Sequence, residues 1–382
     1  MDDTATPLST PPPPLPPATP PPPLHPPPSA VIPPAPRPKS GGGWKLLAIL
    51  LLVFIAFGLL FKLGSFFIGL AEGTGGASTH AGGPRLVEVV RENNHVSDKI
   101  AIIEVSGIIM SGAETGSDLV DVITAQLKRA DKDKDVKAVI LKVDSPGGEV
   151  LASDEIYRAI LDFQKKTSKP VVASMGSVAA SGGYYISAPC QWIVANELTI
   201  TGSIGVIMST YNYRGLMDKV GLKPQVYKSG KFKDMLSGSR NPDEITSEER
   251  DMINNLINET YGRFKEIVAE GRSGAARRNA GKGRKLAENW VDFADGRVMS
   301  GKEAFQRGFV DELGNFRVAV ERAKILANLT EANLVLYMQE FDLADLFKIF
   351  GKSEAKVKID VGMDVPKLPA GRLYFISPTF LN

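Results

Sequence analysis

Histidine and cysteine are nearly absent from this 382-residue chain, which holds three of the first and one of the second. His25, His80 and His95 all precede the stretch that reads as folded, so a Ser-His-Asp triad in a globular part has no imidazole to use. A lone cysteine excludes an internal disulfide framework and any multi-cysteine metal site. The neighbours of Cys190, an Ser-Ala-Pro run before it and Gln-Trp-Ile-Val after it, suit a small buried residue with no redox role. His80 and His95 have no third ligand nearby, so no metal is expected, and no motif asks for a cofactor. Charge is close to balanced, with 45 Lys and Arg against 43 Asp and Glu and a net charge of +2, which leaves no basic surplus to argue for nucleic acid.

What is present is unevenly spread. Residues 1–43 are dominated by proline, with unbroken runs at 11–14 and 20–23, and read as a disordered, partly polyproline-II arm. Residues 46–61 are apolar without interruption, and after Lys62 the run resumes to Leu70. The stretch 44–70 is therefore expected to be a transmembrane helix, long enough for a hydrocarbon layer of about 30 Å. Arg37, Lys39 and Lys45 flank its start, which puts the arm in the cytoplasm and the remainder outside it by the positive-inside rule. A Gly-rich polar tether is expected over 71–96, a folded domain over 97–330 and a tail over 331–382, with an amphipathic segment at 341–350 and an irregular end from 361.

The folded stretch alternates two periodicities. Apolar, β-branched runs at 99–105, 136–143, 171–175 and 192–195 predict strands, and the spacing over 118–130, 149–164 and 244–270 predicts helices. Residues 144–148 read as a turn, 272–284 as a basic Gly-rich loop and 301–327 as a helical close. Such alternation predicts an α/β fold with a parallel sheet and flanking helices, in which sites gather at the carboxyl ends of strands.

Two segments fall at such ends. The first, 176–185, reads Gly-Ser-Val-Ala-Ala-Ser-Gly-Gly-Tyr-Tyr and closes the strand at 171–175. A strand turning into a helix through small residues can hold the Ser181 hydroxyl where another backbone approaches closely. The second is Pro146-Gly147-Gly148, a glycine pair able to offer backbone amides to a developing oxyanion. With no histidine at hand, a serine nucleophile needs another base, and a lysine held in apolar surroundings can serve. Lys228, Lys231 and Lys233 are the candidates; Lys231 and Lys233 alternate as on one strand face, and spacing alone does not choose among the three.

Taken together, Asp-Ser-Pro-Gly-Gly at 144–148, the segment 174–187 around Ser181, Thr-Gly-Ser-Ile-Gly-Val at 201–206, Lys-Ser-Gly-x-x-Lys-Asp at 228–234 and the glycine-bounded motifs at 296–304 and 308–314 resemble the signal peptide peptidase A family, also called protease IV. The likeness covers roughly residues 99–328, and one catalytic region with an N-terminal anchor is similar to the family's short form. The resemblance implies a ClpP/crotonase-like fold and a serine endopeptidase with a Ser-Lys dyad. Within it, Ser181 corresponds to the nucleophile, Lys233 to the base, Ser203 to the hydroxyl that orients the lysine, and Gly148 and Gly182 to the oxyanion donors. It further implies hydrophobic peptide substrates such as released signal peptides, a bilayer anchor, and a homo-oligomer whose neighbouring subunits share active sites. Two other classes share the architecture: a noncatalytic membrane-anchored scaffold, and a crotonase-like acyl-CoA enzyme.

Overall fold

The computed structural model describes residues 84–112, 118–339 and 371–376, all within one unit, Thr79–Asn382. The proline arm, the expected membrane span at 44–70 and the amphipathic segment at 341–350 lie outside the described residues. Among those described, no helix is long and apolar enough to cross a membrane.

In chain order the elements are β1 (Leu86–Glu92), β2 (Lys99–Ser106), α1 (Leu119–Lys132), β3 (Val136–Ser145), β4 (Gly147–Glu149), α2 (Val150–Thr167), β5 (Val171–Ala180), α3 (Gly182–Ser187) and β6 (Trp192–Ala195). There follow β7 (Ile200–Gly202), β8 (Ile207–Met208), α4 (Arg214–Lys219), α5 (Ser247–Arg278), β9 (Val298–Ser300), α6 (Gly301–Gln306), β10 (Glu312–Leu313), α7 (Phe316–Leu326), β11 (Asn333–Gln339) and β12 (Leu373–Ile376). The main sheet runs β1-β11-β2-β3-β5-β6-β10, with β7 joined to the far end of β5 and β9 to β7. Every pair from β11 to β10 is parallel, as is β5 with β7; β1 on β11 and β9 on β7 are antiparallel. The mixed α/β architecture with a mainly parallel sheet is thus present.

Side chains of a strand alternate between its two faces, and β2 displays the consequence. Ala101, Ile103 and Val105 point into a core shared with Ile123 and Leu127 of α1 and Ile156 and Ile160 of α2. Ile100 and Ile102 point the other way, toward Ala319, Val320 and Ala323 of α7. Helices on both faces explain why β2 and β3 read as nearly continuous apolar runs. Caps set several helix starts: Asp118 accepts from the Val120 amide at 2.9 Å, Asn315 caps α7, and Thr246 with Glu249 forms a capping box on α5.

Several elements depart from expectation. The turn predicted at 144–148 is instead the end of β3 and a short strand, β4, because β12 returns to pair with it. That strand lies in the stretch expected to be irregular. β1 falls in the stretch read as tether and β11 in the stretch read as tail; the alternating valines of one and the apolar run of the other complete the sheet by pairing with each other. The basic loop expected at 272–284 is helix as far as Arg278. Gly271 lets α5 approach closely enough that a Cβ there would meet the Ala188 carbonyl oxygen at 2.3 Å, and Arg272 is buried against Asp311, its Nη2 donating to Oδ1. The helical close at 301–327 divides into α6, β10 and α7, since Asp311 and β10 join the sheet edge on β6.

Candidate active site

The nucleophile candidate lies at a strained corner. β5 ends at Ala180, α3 begins at Gly182, and Ser181 between them has φ 53° and ψ −114°. A positive φ on a residue with a Cβ costs roughly 1–3 kcal/mol and persists only where neighbours overdetermine it. Here the Ser181 amide donates to Gly202 O at 2.8 Å, and Ser181 O accepts from the Tyr185 amide at 2.8 Å. Glycines make the corner possible: a Cβ on Gly183 would sit 2.7 Å from Ser145 O, and one on Gly182 would sit 2.7 Å from Ser153 Oγ and 3.1 Å from the Gly148 amide nitrogen. Ser181 is 1% exposed, and among the described residues its hydroxyl has no hydrogen-bond partner.

Gly148, Gly182 and Ser203 converge on the same corner. A Cβ on Gly147, whose φ is +101°, would lie 2.6 Å from the Gly182 nitrogen, so the two candidate oxyanion segments touch through backbone alone. Gly148 bridges Ile109, whose carbonyl oxygen would be 1.9 Å from an added Cβ. β7 lies parallel to β5 with Ala180 opposite Gly202, so Ser203 follows the last paired residue of β7 as Ser181 follows that of β5. Ser203 is also strained, at φ 51°, and its amide donates to Arg297 O at 2.7 Å. It lines a cavity of about 460 Å³ with Gly205, Val206, Ile257, Tyr261 and Ile376.

Among the described residues no hydrogen bond or ion pair joins Lys233 to them. It is exposed, in a run of turns between Gly230 and Ser237 rather than on the strand face that alternation suggested, and among the described residues its amine makes no hydrogen bond or ion pair. The neighbouring lysines are committed: Lys228 Nζ donates to Asp234 Oδ1 at 2.6 Å, and Lys231 Nζ to Glu248 Oε2 at 2.5 Å. The Lys228 bond holds the Asp234 carboxyl below its usual range. Arg240 Nη1 donates to Glu249 Oε1 at 2.5 Å and holds that carboxyl down at about 2, which clips the turn to the start of α5. Of the three candidate lysines, only Lys233 is left uncommitted among the described residues.

Sequence reasoning missed the aromatic cluster beside the corner. Tyr185, one helical turn after Ser181, stacks on Phe375 of β12 with centroids 4.7 Å apart and 27° between planes, and Phe264 of α5 meets both rings. The signal was the short apolar run Leu-Tyr-Phe-Ile at 373–376, sufficient for a buried strand but isolated in a polar tail. Burial pushes the Tyr185 phenol well above its usual range, and its OH donates to Asp154 Oδ1 at 2.8 Å. Among the described residues no group of three or more His, Cys, Asp or Glu side chains could hold a metal ion.

Comparison with known proteins returns the profile of peptidase family S49 over residues 163–330 and that of Clp protease over residues 91–190. The chain is 37% identical over 268 residues to a putative signal peptide peptidase SppA of Enterococcus faecium, covering 68% of this chain and 72% of that protein. It is 41% identical over 231 residues to a putative protease of Synechocystis sp., covering 60% and 75% respectively. Against protease 4 of Haemophilus influenzae it is 38% identical over 239 residues, 62% of this chain and 36% of the longer protein.

Proposed function

We propose, from the premise that this chain belongs to peptidase family S49 and is a serine endopeptidase, that Ser181 is its nucleophile and Lys233 its general base. The observation that carries the assignment of Ser181 is the strained strand-to-helix corner, where Ser181 is 1% exposed, its hydroxyl has no partner among the described residues, and the backbones of Gly148 and Gly182 approach each other. Neutral Lys233 takes the hydroxyl proton as Ser181 Oγ attacks the peptide carbonyl. The amides of Gly148 and Gly182 hold the resulting oxyanion. The tetrahedral adduct collapses with the leaving amine taking that proton from the lysine, and water, deprotonated by the once more neutral Lys233, then hydrolyses the acyl-enzyme. Ser203 orients the lysine.

The lysine arrives from a second copy of the chain. What supports this is the contrast between the buried corner and the exposed segment 209–236, where Leu216, Val220, Leu222, Val226 and Tyr227 are all more than half exposed on a region that carries Lys233. Assembly would bury that apolar surface and desolvate the amine together. Mixing Ser181→Ala and Lys233→Ala chains during assembly tests it: partial recovery of activity is expected, and none in verified mixed oligomers would rule sharing out.

The substrate class is hydrophobic peptides, released signal peptides among them, met by a catalytic domain tethered outside the cytoplasm through the span at 44–70. Support comes from the apolar run itself and from a relative whose name states signal peptide peptidase. The deciding experiment is purified enzyme against a synthetic signal peptide, read by mass spectrometry. Internal cleavage products are expected from the wild type and none from Ser181→Ala; equal cleavage by both removes Ser181 from the mechanism.

A further inference from the structure

β3 ends where its ladder with β5 breaks. Val143 lies opposite Met175 and Ser145 opposite Ala179, so residues 176–178 of β5 stand against Asp144 alone. Backbone groups that such a break deprives of ladder partners must find others. The last two residues of β3 supply them with their side chains. Asp144 Oδ1 accepts from the Val178 amide at 3.0 Å, on the segment that leads to Ser181. Ser145 is fully buried, and its hydroxyl serves two other strands at once: Oγ donates at 2.6 Å to Gly107 O, just past the end of β2, and accepts at 3.1 Å from the amide of Gly147, which opens β4.

The amides that follow Ser145 can be accounted for in turn. Pro146 has none, that of Gly147 goes to the Ser145 hydroxyl, and that of Glu149 goes to Ile109 O at 2.7 Å. The Ile109 amide in turn donates to Gly147 O at 2.9 Å. Ile109 thus takes the peptide groups on either side of Gly148, and strand alternation turns the Gly148 amide the other way. It comes out at the corner, where a Cβ on Gly182 would lie 3.1 Å from its nitrogen. The joint at which this amide turns is Gly147, since a φ of +101° is open to glycine and leaves its backbone free to rotate. Ser145 is the side chain that grips the joint.

We propose that Ser145 is a positioning residue of the reaction: its hydroxyl, anchored on Gly107 O, fixes the Gly147 peptide and so aims the Gly148 amide at the oxyanion formed when Ser181 attacks. This rests on the reading of Ser181 as nucleophile and Gly148 as a donor, and it adds the group that aims the donor. Ser145 touches no substrate. Its effect falls on the tetrahedral state, because a misaimed donor costs little against a neutral carbonyl and much against a full negative charge.

The test compares Ser145→Ala and Ser145→Cys with the wild type, all as full chains, on a synthetic signal peptide. Cysteine keeps the volume and weakens the hydrogen bonds, so it carries the same readouts if the alanine variant does not fold. In Ser145→Ala kcat is expected to fall roughly 30-fold with KM within about twofold, and in Ser145→Cys kcat falls about fivefold. A peptide boronate, which forms a tetrahedral anion on Ser181, should lose affinity by the same factors. Binding of the uncleaved peptide to Ser181→Ala chains should be indifferent to either change. An unchanged kcat, a loss carried by KM, or equal weakening of boronate and uncleaved peptide overturns the positioning role. If the wild type forms no boronate adduct at Ser181, the nucleophile reading falls instead. Hydrogen exchange at Gly147 in Ser181→Ala chains then still decides the grip: protection should drop about tenfold or more without the Ser145 hydroxyl, and an unchanged value overturns it.

Discussion

Ser181 sits in a corner built from two glycine segments and a parallel strand, 1% exposed and held in a backbone conformation only tight packing can keep, whereas Lys233 lies on an exposed turn whose neighbours are apolar and uncovered. One half of the proposed dyad is finished within a single chain. The other is presented on a segment that a lone chain does not bury. The difference teaches that a nucleophile needs a precise backbone, which the core of one chain supplies, while a base needs only to be desolvated on arrival, which an interface can supply.

The largest expected effects break this comparison at either side. Ser181→Ala and Lys233→Met should each lower kcat/KM on a synthetic signal peptide by roughly 10⁴-fold or more, the scale seen when a unit acting as one loses a member. Substantial turnover by Lys233→Met would hand the proton to another group and dissolve the contrast.

Next comes the scaffold behind the corner. Arg272 and Asp311 are each 2% exposed, and Asp311 also accepts from the amides of Ile193 and Arg284 at 2.9 and 3.1 Å. Asp311→Ala leaves a buried guanidinium uncompensated and should destabilise the fold by about 3–5 kcal/mol in denaturant titration. A loss under 1 kcal/mol would mean that α5 is not clamped to the sheet in this way.

A smaller effect is expected from Ser203→Ala. If this hydroxyl orients the lysine, kcat should fall by roughly 10–100-fold with KM little changed, the range expected from misplacing a catalytic group. A change confined to KM would put Ser203 among substrate contacts instead.

The smallest effect separates the two regions by pH. Glu249 is lowered from an ordinary 4.5 to about 2, first by the Arg240 hydrogen bond, and Asp234 is lowered chiefly by Lys228. A depressed carboxyl contributes its stability above its unfolded value and loses it as pH falls through the folded one. Hydrogen-exchange protection at residues 228–240, corrected for the intrinsic rate at each pH, should therefore fall between pH 4.5 and about 2, while β2 and β3 stay protected. Equal loss of protection in both would show that the turn and the core open as one unit.

Much of the sheet was legible because its strands are buried on both faces and their apolar runs are unmistakable; the runs at 99–105, 136–143 and 171–175 all lie within observed strands. The corner at Ser181 was legible for a related reason, since a β-branched run giving way to small residues marks a buried strand that ends in a close-packed turn, although that pattern alone does not make a nucleophile. β4 and β12 were not. Three residues containing two glycines look like a turn, and four apolar residues in a polar tail look like noise, until each supplies the hydrogen bonds the other lacks. The basic stretch after Gly271 misled for a similar reason, because a charge that reads as solvated is buried once Asp311 meets it from another element.

By itself the order of residues determined the strand and helix alternation, the excluded histidine chemistry, the candidate serine and the glycines around it, since each depends on local propensity or on composition. Only the tertiary structure decided that the strand ending before Ser203 pairs with the strand ending before Ser181, that Lys233 lies on an exposed turn, and that Phe375 stacks on Tyr185 of the helix Ser181 opens. Those are distances between segments far apart in the chain, and they are set by which buried faces and unpaired backbone edges find each other on folding.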